Sequence, residues 1–180
     1  MTNRTASLAL ALSLALAAAP AALAAGPVDA QAAYNLSKAA AAKWKPDAQL
    51  FSFQSSGLAP VDAEGRSAEW VVKWTSKAAG TINLMSVKNG AVTTYEMPDK
   101  GGREIVLSPQ SIFDSKKLVA MADAKGGAAR RAAGVNVSLG LVQSTVNNAP
   151  LWHVSYSKNN KEVFHVGIEA NGGKTTVLSN

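Results

Sequence analysis

The 180-residue chain contains no cysteine. That excludes disulfide staples and a cysteine nucleophile, and leaves its stability to packing. Histidine is nearly as scarce, with only His153 and His165, and no His-Glu-x-x-His motif is present. Gly-x-Ser-x-Gly and the phosphate-loop pattern Gly-x-x-x-x-Gly-Lys are missing as well. The carboxylates are scattered without an evident pair, so no known catalytic signature selects a reaction. No apolar run after residue 24 approaches the ~18 residues that a membrane-spanning helix needs.

What is present begins with an address-like segment. Arg4 precedes a Leu- and Ala-rich run from Leu8 to Ala19, and Ala22-Leu23-Ala24 supplies small residues at the positions a signal peptidase reads. The expectation is a signal peptide at 1–24, cleavage before Ala25, and a periplasmic or secreted protein with no membrane-spanning segment in the mature chain. No cysteine follows, which excludes a lipoprotein. The net charge of +6 is spread along the sequence, with basic pairs only at Lys116-Lys117 and Arg130-Arg131. Nucleic-acid binding would call for a longer basic stripe interleaved with aromatics, and is not expected.

The chain also repeats itself. Shifted by 82 positions, Trp70 falls on Trp152, Val72 on Val154, Asn89-Gly90 on Asn171-Gly172 and Thr93-Thr94 on Thr175-Thr176. Apolar character matches where identity does not: Trp74 with Tyr156, Ile82 with Phe164, and Leu84 with Val166. A period of this length is the size of a small domain rather than a solenoid unit.

Each copy reads as a helix followed by strands. Ala33, Leu36, Ala40 and Trp44 share one face at helical spacing, and Pro46 stops that helix. In the second copy Ser111 and Asp114 form a capping pattern, Ser115, Leu118, Met121 and Ala122 follow, and Gly126-Gly127 ends the run. Strand-like alternation marks Trp70, Val72 and Trp74, then Trp152, Val154 and Tyr156, then Phe164, Val166 and Ile168. Leu50–Ser55 and Val135–Val142 read as the first strand after each helix. Asn89-Gly90 and Asn171-Gly172 read as hairpin turns. The expected fold is therefore α+β, two tandem repeats at 25–107 and 108–180, each one helix packed on a four-stranded antiparallel sheet. Gly101–Leu107 joins them.

The segment EVFHVGIEANGGKTTVL, Glu162 to Leu178, resembles the ending of PepSY-type domains. Glu169-Ala170 and Gly173-Lys174 stand at the matching places, while Asn171-Gly172 replaces the Thr-Gly turn that the family favours. The tandem arrangement is also similar to beta-lactamase-inhibitor-like proteins. These resemblances imply a non-enzymatic envelope or secreted module, one that inhibits a peptidase or acts as a chaperone, by analogy of fold alone.

Candidate binding residues are few. His153 and His165 face away from Trp152 and Phe164, and a three-residue loop at Lys158-Asn159-Asn160 would set them directly opposite one another. Such a pair binds a transition metal if a third ligand is supplied, with Glu162, Glu169 and Asp123 as candidates; two solvent-facing histidines are the plainer reading. Their first-copy counterparts are Val71 and Asn83, so the pair is not part of the repeat. Trp70, Val72, Trp74, Trp152, Val154, Tyr156, Phe164 and Val166 read as core. Trp44 is the tryptophan best placed to anchor a partner, and Arg130 and Arg131 are candidates for an anion. The functional expectation is an exported, non-catalytic module that binds an envelope or extracellular protein or peptide and needs no cofactor. A small-molecule or transition-metal carrier and a hydrolase of unknown substrate are the alternatives.

Overall fold

The computed structural model describes residues 26–145 and 147–179. The signal-peptide reading, including Arg4 and the run Leu8–Ala19, lies outside the described residues.

Helix α1 spans Ala30–Trp44. Asp29 caps it, accepting from the Ala32 backbone N–H at 2.7 Å, and the chain turns extended at Lys45, ahead of Pro46. Its buried line is Ala30, Ala33, Ser37 and Ala41, all small, so the helix backbone lies close to the sheet. Leu36, Ala40 and Trp44 are only partly buried and pack beside that line. The second helical segment starts with α2, Ser115–Ala122, continues through a π-helical turn at Asp123–Gly127, and ends in α3, Ala128–Ala132. Its N-terminal cap is Asp114, which accepts from Lys117 N–H at 2.9 Å. Ser111 instead accepts from Ser108 N–H in the preceding loop. Gly126, at φ 115°, lies outside helical space, so the first helix breaks there as the Gly126-Gly127 pair predicts, and α3 restarts beyond it.

The expectation of two repeats, each a helix on its own four-stranded sheet, is corrected here. Eight strands form one antiparallel sheet: β2 Gln49–Ser55, β4 Glu69–Ser76, β5 Thr81–Lys88, β6 Ala91–Pro98, β7 Asn136–Gln143, β8 Pro150–Lys158, β9 Lys161–Glu169 and β10 Thr175–Ser179. Their order is β10-β9-β8-β7-β2-β4-β5-β6. A separate two-stranded sheet pairs β1, Val28–Asp29, with β3, Arg66–Ser67. The physical reason is pairing between β2 and β7, through Phe53 with Leu141 and Gln54 with Gly140. That contact removes two open edges that separate sheets would have exposed. Beyond those pairs the Ser55 hydroxyl continues the join, accepting from Leu139 N–H at 3.0 Å and donating to Leu139 C=O at 3.4 Å. At the other end Gly101–Leu107 forms no strand; buried Ile105 donates its N–H to Leu50 C=O at 2.7 Å.

One apolar core crosses the join. The Phe53 ring lies 5.1 Å from that of Trp70 and 5.8 Å from that of Trp152. Phe113 stands edge-on to both Phe53 and Trp152. Trp70, Val72, Trp74, Trp152, Val154, Tyr156, Phe164 and Val166 are all buried. The two indoles at the matching positions Trp70 and Trp152 donate to Val28 C=O and Ile112 C=O, each at 2.9 Å.

The sequence match misplaces β5. Met85 pairs with Val72 and Val87 with Trp70, so Met85 and Val87 face the core while Ile82 and Leu84 face the other side. A four-residue connection, 77–80, joins β4 to β5. Between β8 and β9 there is a two-residue turn at Asn159-Asn160 and a register shift after Tyr156. The one-residue difference flips every side chain of the strand. The two Asn-Gly pairs diverge too. Asn89 and Gly90 take φ 48° and 82° in a two-residue turn closed by Lys88 and Ala91. Asn171-Gly172 instead sits in a wider loop between Ile168 and Thr175.

Candidate functional site

With both helical segments on one face, the other face of the sheet is left to side chains that alternate with the core. Its central strands carry small and polar groups: Gln54 on β2, Ser138 and Gly140 on β7, and His153 and Ser155 on β8, which together line a shallow groove. His153 lies between two glycines, Gly140 on β7 and Gly167 on β9.

His165 is opposite Ser155, so the histidines are diagonal neighbours and not directly opposed. The tighter turn at Asn159-Asn160 and the register shift after Tyr156 together account for this offset. Their rings nevertheless meet, with His153 Nδ1 2.7 Å from His165 Nε2. On the far side of His165, Glu162 Oε1 lies 3.4 Å from Nδ1 and accepts from the Ser179 hydroxyl at 3.3 Å. A carboxylate there favours the tautomer with the proton on Nδ1, which leaves Nε2 to accept from His153. Burial holds the His153 imidazole below its ordinary 6.5, with the neighbouring His165 adding to the effect and Glu162 opposing it. Among the described residues no group of three or more His, Cys, Asp or Glu is arranged to hold a metal ion.

The other candidate residues lie elsewhere. Trp44 is at the C-terminal end of α1, where its indole N–H donates to Glu96 Oε2 at 2.8 Å and the Lys45 ammonium sits 6.0 Å from its ring. That bond holds the Glu96 carboxyl below the usual range. Arg130 and Arg131 are on α3. Arg131 pairs with Asp123, and the Arg130 guanidinium lies 5.7 Å from the Phe164 ring. Asp123 also accepts from the Tyr156 hydroxyl at 2.9 Å, so this basic pair closes the end of the core. Glu169 accepts from the Lys174 N–H within the β9–β10 loop. Of the proposed third ligands, only Glu162 reaches the histidines.

Exposed edge strands that offer backbone pairing are expected from the sequence, but which strand forms the edge is not. Strand β6 pairs with β5 along its whole length from Ala91 to Pro98, and among the described residues no strand pairs with its other side. The two-residue turn makes Lys88 and Ala91 a hydrogen-bonded pair. By alternation the main-chain groups of Val92, Thr94 and Glu96 then point away from β5. The strand has no bulge, no lysine and no proline before its last residue, so it lacks the usual protections of an edge. Tyr95 stands 66% exposed upon it. The signal available in the sequence was the run Val92-Thr93-Thr94-Tyr95 directly after a tight turn.

No family model matches the chain, and neither a curated protein nor a solved structure matches it. Among the described residues no helix is long and apolar enough to cross a membrane.

Proposed function

We propose that the chain is an exported, non-catalytic binding module that takes an extended segment of a partner protein or peptide along the open edge of β6. The observation that carries this reading is the regular, unpaired and unprotected edge, whose outward main-chain groups suit strand addition. Main-chain pairing supplies affinity there, and Tyr95 and Met97 on one face with Val92 and Thr94 on the other supply selectivity. The leader-like residues before Ala25 support export. The PepSY-like ending makes a peptidase the first partner class to try.

Thr94→Pro tests the reading, because it removes an outward N–H while leaving the β5 ladder its own bonds. Peptides selected from a random display library on the wild-type protein are expected to bind Thr94→Pro at least about tenfold more weakly, a loss of about 1.4 kcal/mol. Equal binding by both proteins, or turnover of the selected peptides, overturns the proposal.

A further inference from the structure

Two imidazole nitrogens 2.7 Å apart cannot both direct lone pairs at each other without something positive between them. In the ion-free pair that is a single proton, carried by His153 Nδ1 and accepted by His165 Nε2. A metal ion is the other species that fits. Two nitrogens bound to one ion at ~2.0–2.1 Å stand ~2.9–3.4 Å apart, for angles between square and tetrahedral. The rings therefore need to separate by only a few tenths of an ångström. They are already inclined at 40° with centroids 4.8 Å apart.

We propose that His153 Nδ1 and His165 Nε2 jointly bind one divalent transition-metal ion of the class that favours imidazole, Cu²⁺, Ni²⁺ or Zn²⁺. Three features of the surroundings carry the assignment. Glu162 stands behind His165 on the nitrogen that does not face His153, which is where a carboxylate orients a ligating imidazole and raises its basicity. Gly140 and Gly167 flank His153 on the adjacent strands; Leu178 and Leu151 fill the space over Gly167, which leaves the Gly140 side as the approach to the ring. A side chain at Gly140 would meet only Gln54, at an ordinary 3.8 Å, so that space is open. Both histidines are on strands of one paired ladder, so the rings are positioned by rigid backbone. With no third protein ligand among the described residues, water fills the remaining positions, and the site is an open one of modest affinity.

The binding step balances simply. The ion takes the Nδ1 lone pair of His153 and the Nε2 lone pair of His165. The bridging proton leaves His153 Nδ1 and one proton is taken up at His153 Nε2, so that ring remains a neutral imidazole in its other tautomer. No net proton is released per ion at a pH where both rings are otherwise neutral.

The test is titration of the chain with Cu²⁺, Ni²⁺ and Zn²⁺ separately, followed by calorimetry in buffers of different ionisation enthalpy and by imidazole ¹⁵N spectra. Because the chain has only two histidines, the spectra need no variant for interpretation. One ion per chain is expected, with no net proton release at a pH where both rings are neutral, a change of His153 to the Nε2–H tautomer, and both rings perturbed together at Nδ1 of His153 and Nε2 of His165. His153→Gln and His165→Gln are each expected to weaken binding at least about tenfold. Glu162→Gln is expected to weaken it less, by a few-fold, while keeping the one-ion stoichiometry. Unchanged affinity in either histidine variant, or perturbation of one ring alone, overturns the proposal. So does the absence of binding by all three ions to a wild-type protein whose ring spectra confirm that the histidine bridge is formed.

Discussion

Tyr156 is fully buried, and its hydroxyl donates to Asp123 Oδ1, so ionisation would set a phenolate against a carboxylate out of water. Burial chiefly, with the Asp123 hydrogen bond and charge adding, pushes the phenol well above its ordinary 10.0. The unfolded chain therefore gives up this proton first. The stabilisation is complete below pH ~10 and is lost as pH rises beyond it. Stability measured by urea melts is expected to fall between pH 9.5 and 11, more steeply in wild type than in Tyr156→Phe; parallel slopes contradict this. The same hydroxyl explains Gly127. A Cβ there would lie 2.1 Å from the Tyr156 oxygen, so the glycine that reads in the sequence as a helix stop is required by close approach. At this scale the inward tryptophans, Trp70 and Trp152, were legible because period-two alternation is local. The bonds of Asp123 to Arg131 and Tyr156 were not, since they depend on how the second helical segment meets the sheet. Nor was the diagonal placement of the two histidines, which a turn length and a register shift fix.

The elements themselves followed mostly from local chemistry. Asp29 before an alanine-rich run caps α1, and Asp29→Ala is expected to cost about 1 kcal/mol, read as a lowered denaturation midpoint with unchanged m-value. Proline after Trp44 and the turn at Asn89-Gly90 were equally readable. The failures came where one element meets the next. An offset of 82 positions aligns the tryptophan strands and the first residues of the last strands, yet sets Ile82 and Leu84 on the face of the shared core. Met85 and Val87 stand there, and Ile82 is instead buried on the opposite face. Identity in a repeat reports ancestry of residues, while facing depends on connection length, and a single residue is enough to separate the two. The helix expected to stop at Gly126-Gly127 does leave helical space at Gly126, and what the sequence did not show is the short helix α3 that restarts directly after it.

At the scale of the molecule, the two halves share one sheet and one core, so they should unfold together. Calorimetry is expected to show a single transition whose calorimetric and van't Hoff enthalpies agree; two separated transitions contradict the shared core. Phe53 lies between the halves, packed against Trp70 and Trp152, and Phe53→Ala is expected to cost ~3–5 kcal/mol while keeping the unfolding to one step. Helix-then-strands order could be read from the sequence. Edge-to-edge fusion could not, because β2 and β7 look like any other half-buried strands and nothing in their side chains names a partner.

That fusion also bears on how the chain reaches its final form. Every other contact in the large sheet links strands that follow closely along the chain, whereas Ser55 and Leu139, at the join, are separated by 84 positions. Hairpins such as β5–β6 close within microseconds, but the last zipper waits on a search across nearly half of the polypeptide. Until it closes, two raw strand borders are open to neighbouring molecules. The length of that interval sets how long the unfinished sheet is exposed to aggregation.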